Sequence, residues 1–536
     1  MACSKVFSGD LPELTNEIIQ YFKKDFSTLY SCILVNRLLC RLAIPLLWED
    51  PFSIPSQNYR CIEIYLHFLN EDSKAKFNEY GINNNILSTD KTLFNYPSFI
   101  KYLNTHYIYY CIKKWVIYLM KYNHKRKRLV TLIYRSLFEV FVENEGNLHS
   151  FETVISDQNI YDHNAMDLIL QNPNLTYNIK NLKLGGIEIT IPFLEFLNSN
   201  CNSISSIGLD FPIDDINKFS LIEKHLSQII ISQHNLKKIS FESDITLFLS
   251  LKTSNCSNTL NTIIFYSINF KNIINNLREV FDQLNVLESI HILKCNSLNS
   301  DFVQQIIKVI KPFKLRSLFM SEILYVESFQ FLLQKFGNWL ENFGFGFMND
   351  DYNGPRRQLL KLIMKYCKNI RYFESGIPDD INIYPFIENN HHNINYISIK
   401  VRIYNYSIYN QYSSTVLQNL GQVLPSKLEY LCLTLSFMTD DLEIFLRNSQ
   451  NTFIKKLLIR YMVWNEGKHI LSYIKEFITE KKRVKYLAIS EFGPGVDNEL
   501  FSSKDKFKFH NVVVRRYNDL YITPYNFITN NLQYSI

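Results

Sequence analysis

From Ile179 onward a six-residue pattern recurs: an apolar residue, two variable positions, an apolar residue, one variable position, and a third apolar residue. It appears as Ile179/Leu182/Leu184, Ile204/Ile207/Leu209, Leu236/Ile239/Phe241 and Leu260/Ile263/Phe265. It continues as Leu287/Ile290/Ile292, Leu315/Leu318/Met320, Leu340/Phe343/Phe345 and Ile370/Phe373/Ser375. The last copies are Ile394/Ile397/Ile399, Leu428/Leu431/Leu433, Ile454/Leu457/Ile459 and Val484/Leu487/Ile489. These are twelve copies, spaced 24 to 34 residues from start to start, with a weaker one at Leu148/Phe151/Thr153. The closing apolar-x-apolar places two side chains on one face of a strand. Between copies the apolar spacing is helical, as in Phe302 to Ile310, Phe329 to Phe336, Gln358 to Tyr366, Leu442 to Leu446 and Ile470 to Ile478. A unit this small cannot bury its own apolar face. Neighbours must stack, which predicts a parallel sheet inside and helices outside. Each pattern residue then points into the stack, where burial stabilises by roughly 1.5–3 kcal/mol before entropy is subtracted.

This periodicity resembles leucine-rich repeats of the irregular, long-helix kind. Asn200-Cys201-Asn202-Ser203-Ile204 and Tyr366-Cys367-Lys368-Asn369-Ile370 carry Cys or Asn just before the strand, as such repeats do. The family often places Asn or Cys three residues after the last strand position, and here only Cys295 fits, so a differently built turn and a less regular solenoid are expected. The expected fold class is an α/β leucine-rich-repeat solenoid preceded by a small all-α module of three helices. The alternative is an ordinary alternating α/β fold.

That module is residues 11–52. Asp10 is a candidate cap for a first helix, with Pro12 and Glu13 in its first turn and Leu14, Ile18 and Phe22 on its apolar face. Asp25 or Ser27 starts a second helix bearing Leu29, Cys32 and Ile33, and a third runs from about Asn36 to Ile44, stopped by Pro45. The stretch resembles the F-box, on Leu11-Pro12, Ile18, Leu29, Val35, Arg37 and Leu47-Trp48, although Asn36 stands where Cys is frequent and Leu39 where Trp is frequent. An F-box-like segment followed by repeats resembles the F-box/leucine-rich-repeat substrate receptors, particularly the large, divergent fungal sets. The resemblance implies a non-catalytic subunit whose residues 8–52 bind the Skp adaptor, and through it a cullin-based ubiquitin ligase, while the repeats hold a target protein. It makes Leu11, Pro12, Leu14, Ile18, Leu29, Val35, Leu39 and Trp48 the adaptor-binding residues. The alternative is a helical cap that shields one end of an interaction scaffold, with Leu14, Ile18 and Phe22 buried against residues 53–147.

Residues 53–147 read as a helical connector, with helices over Tyr59 to Leu69, Phe99 to Met120 and Leu129 to Val142, and a polar, Asn-rich loop at 71–96. The repeats span 148–495, and 496–536 are expected to cap them.

Composition narrows the partners. The chain has 536 residues, of which 46% are hydrophobic, with 40 Phe and 34 Tyr to build a core. A net charge of +6 over this length demands neither nucleic acid nor an anionic membrane as partner. Tyr107 to Met120 is interrupted by Lys113 and Lys114 and is shorter than the ~20 apolar residues of a membrane span. The first residues lack the apolar region of a signal peptide, and none of the ten cysteines forms a C-x-x-C pair. The expected setting is reducing and cytoplasmic. Lys125-Arg126-Lys127-Arg128 is either a nuclear localisation signal or the solvated start of a helix.

The chain contains no phosphate loop, nucleophile elbow or zinc-protease helix. Gly344-x-Gly346 lies in a repeat strand, Asn349/Asp351/Asn353 lead to Leu360 rather than a bidentate Glu, and His391-His392 lack partner ligands. Cys201, Cys256, Cys295, Cys367 and Cys432 fall at or beside strands, as small core residues do. The expectation is no catalysis, no metal and no cofactor.

One stripe stands out. The residue before the second apolar position of each copy faces away from the helices. In order these are Asn181, Ser206, Lys238, Thr262, Ser289, Ser317, Asn342, Tyr372, Tyr396, Tyr430, Lys456 and Tyr486. Four of the last five are Tyr, so a tyrosine ladder is expected there, with Lys400, Lys456 and Arg460 near it to favour an acidic or phosphorylated target. The alternative is the ordinary preference of Tyr for strands.

Overall fold

The computed structural model describes residues 11–23, 25–53, 59–82, 92–120, 125–155, 163–186, 190–211, 216–243, 246–322, 325–345, 353–376, 382–400, 408–437, 439–462, 473, 476, 483–493, 496–499 and 512–532. The chain divides into two compact units, residues 1–239 with 253–259, and residues 240–252 with 260–536.

The first unit begins with three helices, α1 (Pro12–Tyr21), α2 (Phe26–Ile33) and α3 (Arg37–Leu47). The Asp25 carboxylate accepts from the Thr28 N–H (3.1 Å) and the Asn36 side chain from the Leu39 N–H (2.8 Å), so each inter-helix turn carries its own cap. Asp10 lies outside the described residues. Pro45 does not end α3. It forfeits one backbone bond, but Leu46 is buried in the module core and the Trp48 N–H closes the turn on the Ile44 and Pro45 carbonyls. Ile19, Leu29, Leu39, Ala43 and Leu46 form that core.

Beyond the module, helices Arg60–Leu66, Thr105–Leu119 and Arg126–Glu143 pack through Tyr65, Trp115 and Phe141, and the Trp115 indole donates to Glu63 (3.0 Å). Two expectations fail here. Residues 71–78 are a helix rather than loop, because Asn70 caps it on the Ser73 N–H and Phe77 is fully buried. Tyr102–Asn104 is a strand, β1, rather than the start of a helix, and Asn104 then caps the helix after it. β1 pairs in parallel with β2 (Ser150–Ile155), so the sheet starts before the repeats do, and the weaker copy at Leu148 is a strand. β3 (Asn181–Gly186) and β4 (Ser206–Asp210) continue it in order. The basic run forms the first turn of helix Arg126–Glu143, with Lys125, Lys127 and Arg128 exposed.

At the division lies β5 (Lys238–Glu242). The second unit stacks β6 (Thr262–Tyr266), β7 (Ser289–Cys295), β8 (Lys314–Met320), β9 (Asn342–Gly344), β10 (Tyr372–Ser375), β11 (Tyr396–Lys400), β12 (Lys427–Ser436), β13 (Phe453–Met462) and β14 (Val484–Gly493), all parallel and in chain order. Every one of the twelve pattern copies is a strand. This is an α/β repeat solenoid. Pattern residues face the helices, as where Phe373 meets Phe386 (4.6 Å) and Phe265 meets Phe248 (5.5 Å). Instead of an asparagine ladder, Ser243, Ser267, Lys294 and Ser297 turn the chain with positive φ, between 55° and 71°. The helical spacing predicted for residues 470–478 falls almost entirely outside the described residues.

Residues 496–536 do not simply cap the end. β15 (Val496–Glu499) and β16 (Val513–Val514) pair with β14, and the chain then crosses the sheet face opposite the helices as two short helices, Tyr517–Leu520 and Pro524–Leu532. The cause is apolar. Tyr517, Leu520, Phe527 and Ile528 have nowhere else to bury.

Candidate functional site

The strand register brings Tyr372, Tyr396, Tyr430, Lys456 and Tyr486 side by side, each the direct partner of the next. The Tyr372 and Tyr396 rings stack at 6.1 Å, and Tyr396 and Tyr430 repeat that distance. Behind them runs a second row, Leu293, Phe319, Gly344, Glu374, Ser398, Cys432, Leu458 and Ala488. On β6 to β9 the first row is a polar chain instead. Thr262 Oγ1 meets Ser289 Oγ (3.0 Å), and Ser317 Oγ meets both His291 Nδ1 (2.7 Å) and Asn342 Nδ2 (2.9 Å).

The ladder therefore exists, but residues 517–532 lie on it. Tyr372 and Tyr430 are 0% exposed, and Tyr396 and Tyr486 are half-buried. Phe527 sits on Tyr372 (4.9 Å) and Tyr396 (4.5 Å), and Tyr525 on Tyr266 (4.9 Å). The two buried hydroxyls grip one residue of the crossing segment. The Ile522 N–H donates to Tyr430 (3.2 Å), and the Tyr372 hydroxyl donates to the Ile522 carbonyl (3.5 Å). Burial raises the pKa of both phenols, which keeps them protonated for this work. The Tyr517 hydroxyl meets Cys432 Sγ (3.1 Å) and Thr434 Oγ1 (3.4 Å).

Two of the three cations expected to greet an acidic target are occupied. Lys400 Nζ binds the fully buried Glu374 (2.5 Å) and the Tyr521 hydroxyl (2.8 Å). Burial alone would lower the Lys400 pKa, but Glu374 and Tyr521 outweigh it and hold the ammonium above its ordinary value. Arg460 lies over the Tyr517 ring (5.6 Å). Burial, with Lys455 beside it, lowers the pKa of the half-buried Lys456.

In the first unit the residues expected to bind the adaptor separate into two sets. Leu29 and Leu39 are core residues, 0% and 2% exposed, so they shape the module rather than face a partner. Trp48 packs against Tyr65 (5.3 Å) and Tyr96 (4.4 Å), and Lys23 bridges Glu49 (2.6 Å), so the end of α3 seats the module on the residues beyond it. Leu11, Leu14 and Ile18 are 44%, 43% and 38% exposed, Pro12 is exposed beside them, and Val35 is 63% exposed. The spacing 11, 14, 18, 21 places them with Tyr21 on one stripe of α1. The predicted face was offset by one position. Thr15 and Ile19 turn inward, and only Phe22 of the expected set packs on the core.

Sequence reasoning missed Tyr517, Tyr521, Ile522, Tyr525 and Phe527.

The buried thiols stay protonated, since burial pushes Cys295 and Cys367 up to about 12 and Cys201 to about 11. His391 and His392 are exposed, and no cluster of metal-ligating side chains occurs among the described residues. Gly346, Asn349 and Asp351 lie outside them. No described helix is long and apolar enough to cross a membrane.

No family model matches the chain, and no curated protein matches it. Among solved structures it is similar to one described as the crystal structure of Rad7 and Elc1 complex in yeast, at 12% identity and a TM-score of 0.32, over 76% of this chain and 96% of that one. The assignment as a repeat solenoid rests on this chain's own strand order.

Proposed function

We propose that this protein is a non-catalytic substrate-recognition subunit of a Skp–cullin–F-box ubiquitin ligase. Residues 11–52 dock on the Skp adaptor, and the repeats hold a target where a ubiquitin-charged enzyme reaches its lysines. The gain is effective concentration, since tethering turns an encounter into a near-intramolecular event. The observation that carries this reading is the exposed stripe Leu11/Leu14/Ile18/Tyr21 on a module whose core is already closed. A cap has no use for aliphatic side chains in water, whereas a docking helix needs them. We assign adaptor contact to Leu11, Pro12, Leu14, Ile18 and Val35, and a supporting role to Leu29, Leu39 and Trp48.

A second reading, a repeat scaffold with an F-box-like cap, is favoured by the seating of Trp48 on Tyr65 and Tyr96. Co-expression with the Skp adaptor separates the two. The wild-type chain is expected to bring the adaptor down, and Leu14→Asp/Ile18→Asp to lose at least tenfold in affinity with its melting temperature unchanged. Failure of the folded wild-type chain to bind the adaptor leaves the scaffold.

A further inference from the structure

The face that carries the tyrosine ladder is bound, in this structure, by the chain's own residues 517–532. We propose that this segment occupies the target-binding face in cis, and that a target segment of the same aromatic spacing, carrying an acidic residue at the place of Asn531, displaces it. The proposal rests on the reading of the repeats as the target-holding part.

Three features mark the contact as a bound peptide rather than ordinary core. The grip is on main chain. Tyr430 and Tyr372 hold the N–H and carbonyl of Ile522, an interaction any residue at that position offers. Of the charges beneath, Glu374 and Lys400 pair with each other without the segment's help, whereas Glu242 accepts from the segment's Tyr525. The Glu374–Lys400 pair therefore outlasts the segment's departure, and Glu242 gives up one donor.

The fit is also incomplete. An open cleft of about 280 Å³ remains where Phe527, Ile528, Asn531 and Leu532 meet His291, Arg316, Glu341, Asn342 and Arg371. Two guanidiniums against one carboxylate make its lining net cationic, and the Arg316–Glu341 pair occupies that carboxylate. Arg371 is exposed at the rim. A carboxylate from a target, in place of the amide of Asn531, gains a charge-assisted bond there.

Tethering presents the segment at an effective concentration on the order of mM. The same segment offered in trans competes poorly until the tethered copy is weakened. The test is fluorescence anisotropy of a labelled peptide of residues 513–532 with the full-length chain, wild type and Phe527→Asp. The variant is expected to bind at least tenfold more tightly than wild type. A peptide bearing Asn531→Asp is expected to bind several-fold more tightly still, and Tyr430→Phe added to the variant to weaken binding several-fold. A folded Phe527→Asp chain with no gain over wild type overturns the proposal.

Hydrogen exchange of the wild-type chain decides the matter without any variant. Amides of 517–528 are expected to exchange at least tenfold faster than those of β12 and β13, and equal protection makes the segment core and the proposal wrong. Adaptor pull-down by the same chains reports separately. Its failure with positive peptide binding removes the ligase and leaves the peptide-binding face.

Discussion

On α1, Leu11, Leu14 and Ile18 stand in water, whereas Tyr372 and Tyr430, no more apolar, are sealed beneath residues 517–532. The difference comes from the groups each surface must satisfy. An aliphatic stripe demands only contact area and has no polar atom to orient. Tyrosine hydroxyls brought together by strand register need donors and acceptors as well as area, and Ile522 supplies one of each. One surface is open. The other is already covered by the chain's own residues 517–532.

The comparison breaks first at the module core. Leu29→Ala removes a fully buried side chain and is expected to cost about 2–5 kcal/mol, the usual range for a core cavity. Leu14→Ala, half a module away and exposed, is expected to stay within about 0.5 kcal/mol of wild type. Urea titrations of the two variants check this directly. Equal destabilisation shows that the α1 stripe is packed after all, and the distinction between scaffold and docking residues goes with it.

Legibility in the sequence divides along the same line. The repeat strands were legible because each buries a fixed apolar set against its own neighbours, so a local pattern carries the fold. Leu29 and Leu14 were not distinguishable, because a helix of ten residues or fewer has too few turns to say which of two adjacent arcs faces in. The helix Glu71–Asn78 was hidden by its polar composition, since one cap and one buried Phe77 decide it. The segment over the ladder was illegible for a different reason. Tyr525 meets Glu242, which lies 283 residues away in sequence, and no local periodicity encodes a partner at that distance.

The covered face makes a demand on its own sheet that the open stripe does not. Gly344 lies in the second row, where a Cβ would come within 2.7 Å of the Phe319 ring and 2.9 Å of both Glu374 Cβ and the Glu374 carbonyl oxygen. Phe319 has some freedom to swing, but the carbonyl is fixed by the strand. Gly344→Ala is therefore expected to destabilise by roughly 1–3 kcal/mol, the usual range for overpacking. It should also push Phe319 and Tyr372, which touch at 5.5 Å, into the segment above. Urea unfolding measures the first effect and hydrogen exchange at 517–528 the second. A neutral result shows that the two rows relax independently of the segment that covers them.

The smallest effect concerns pH. Lys400 is held above its ordinary pKa, against the pull of burial, by Glu374 and Tyr521. In the unfolded chain this lysine releases its proton near about 10.4, while in the fold it keeps it to higher pH. Stability from this group is therefore fully present below about pH 10.4, declines above it, and is lost as the pH passes the folded value. Below that point, through the neutral range, it contributes a constant amount, so the cover over the ladder should be insensitive to pH between about 6 and 9 as far as Lys400 is concerned. Lys400→Met removes the alkaline decline but leaves Glu374, 0% exposed, without its counter-ion. That variant is expected to be less stable than the wild type at neutral pH. Thermal melts of both chains from about pH 5 to 11 test the pair of slopes. Parallel profiles show that Lys400 and Glu374 do not act together beneath Tyr521, and that the covered face is no better balanced in charge than the open one.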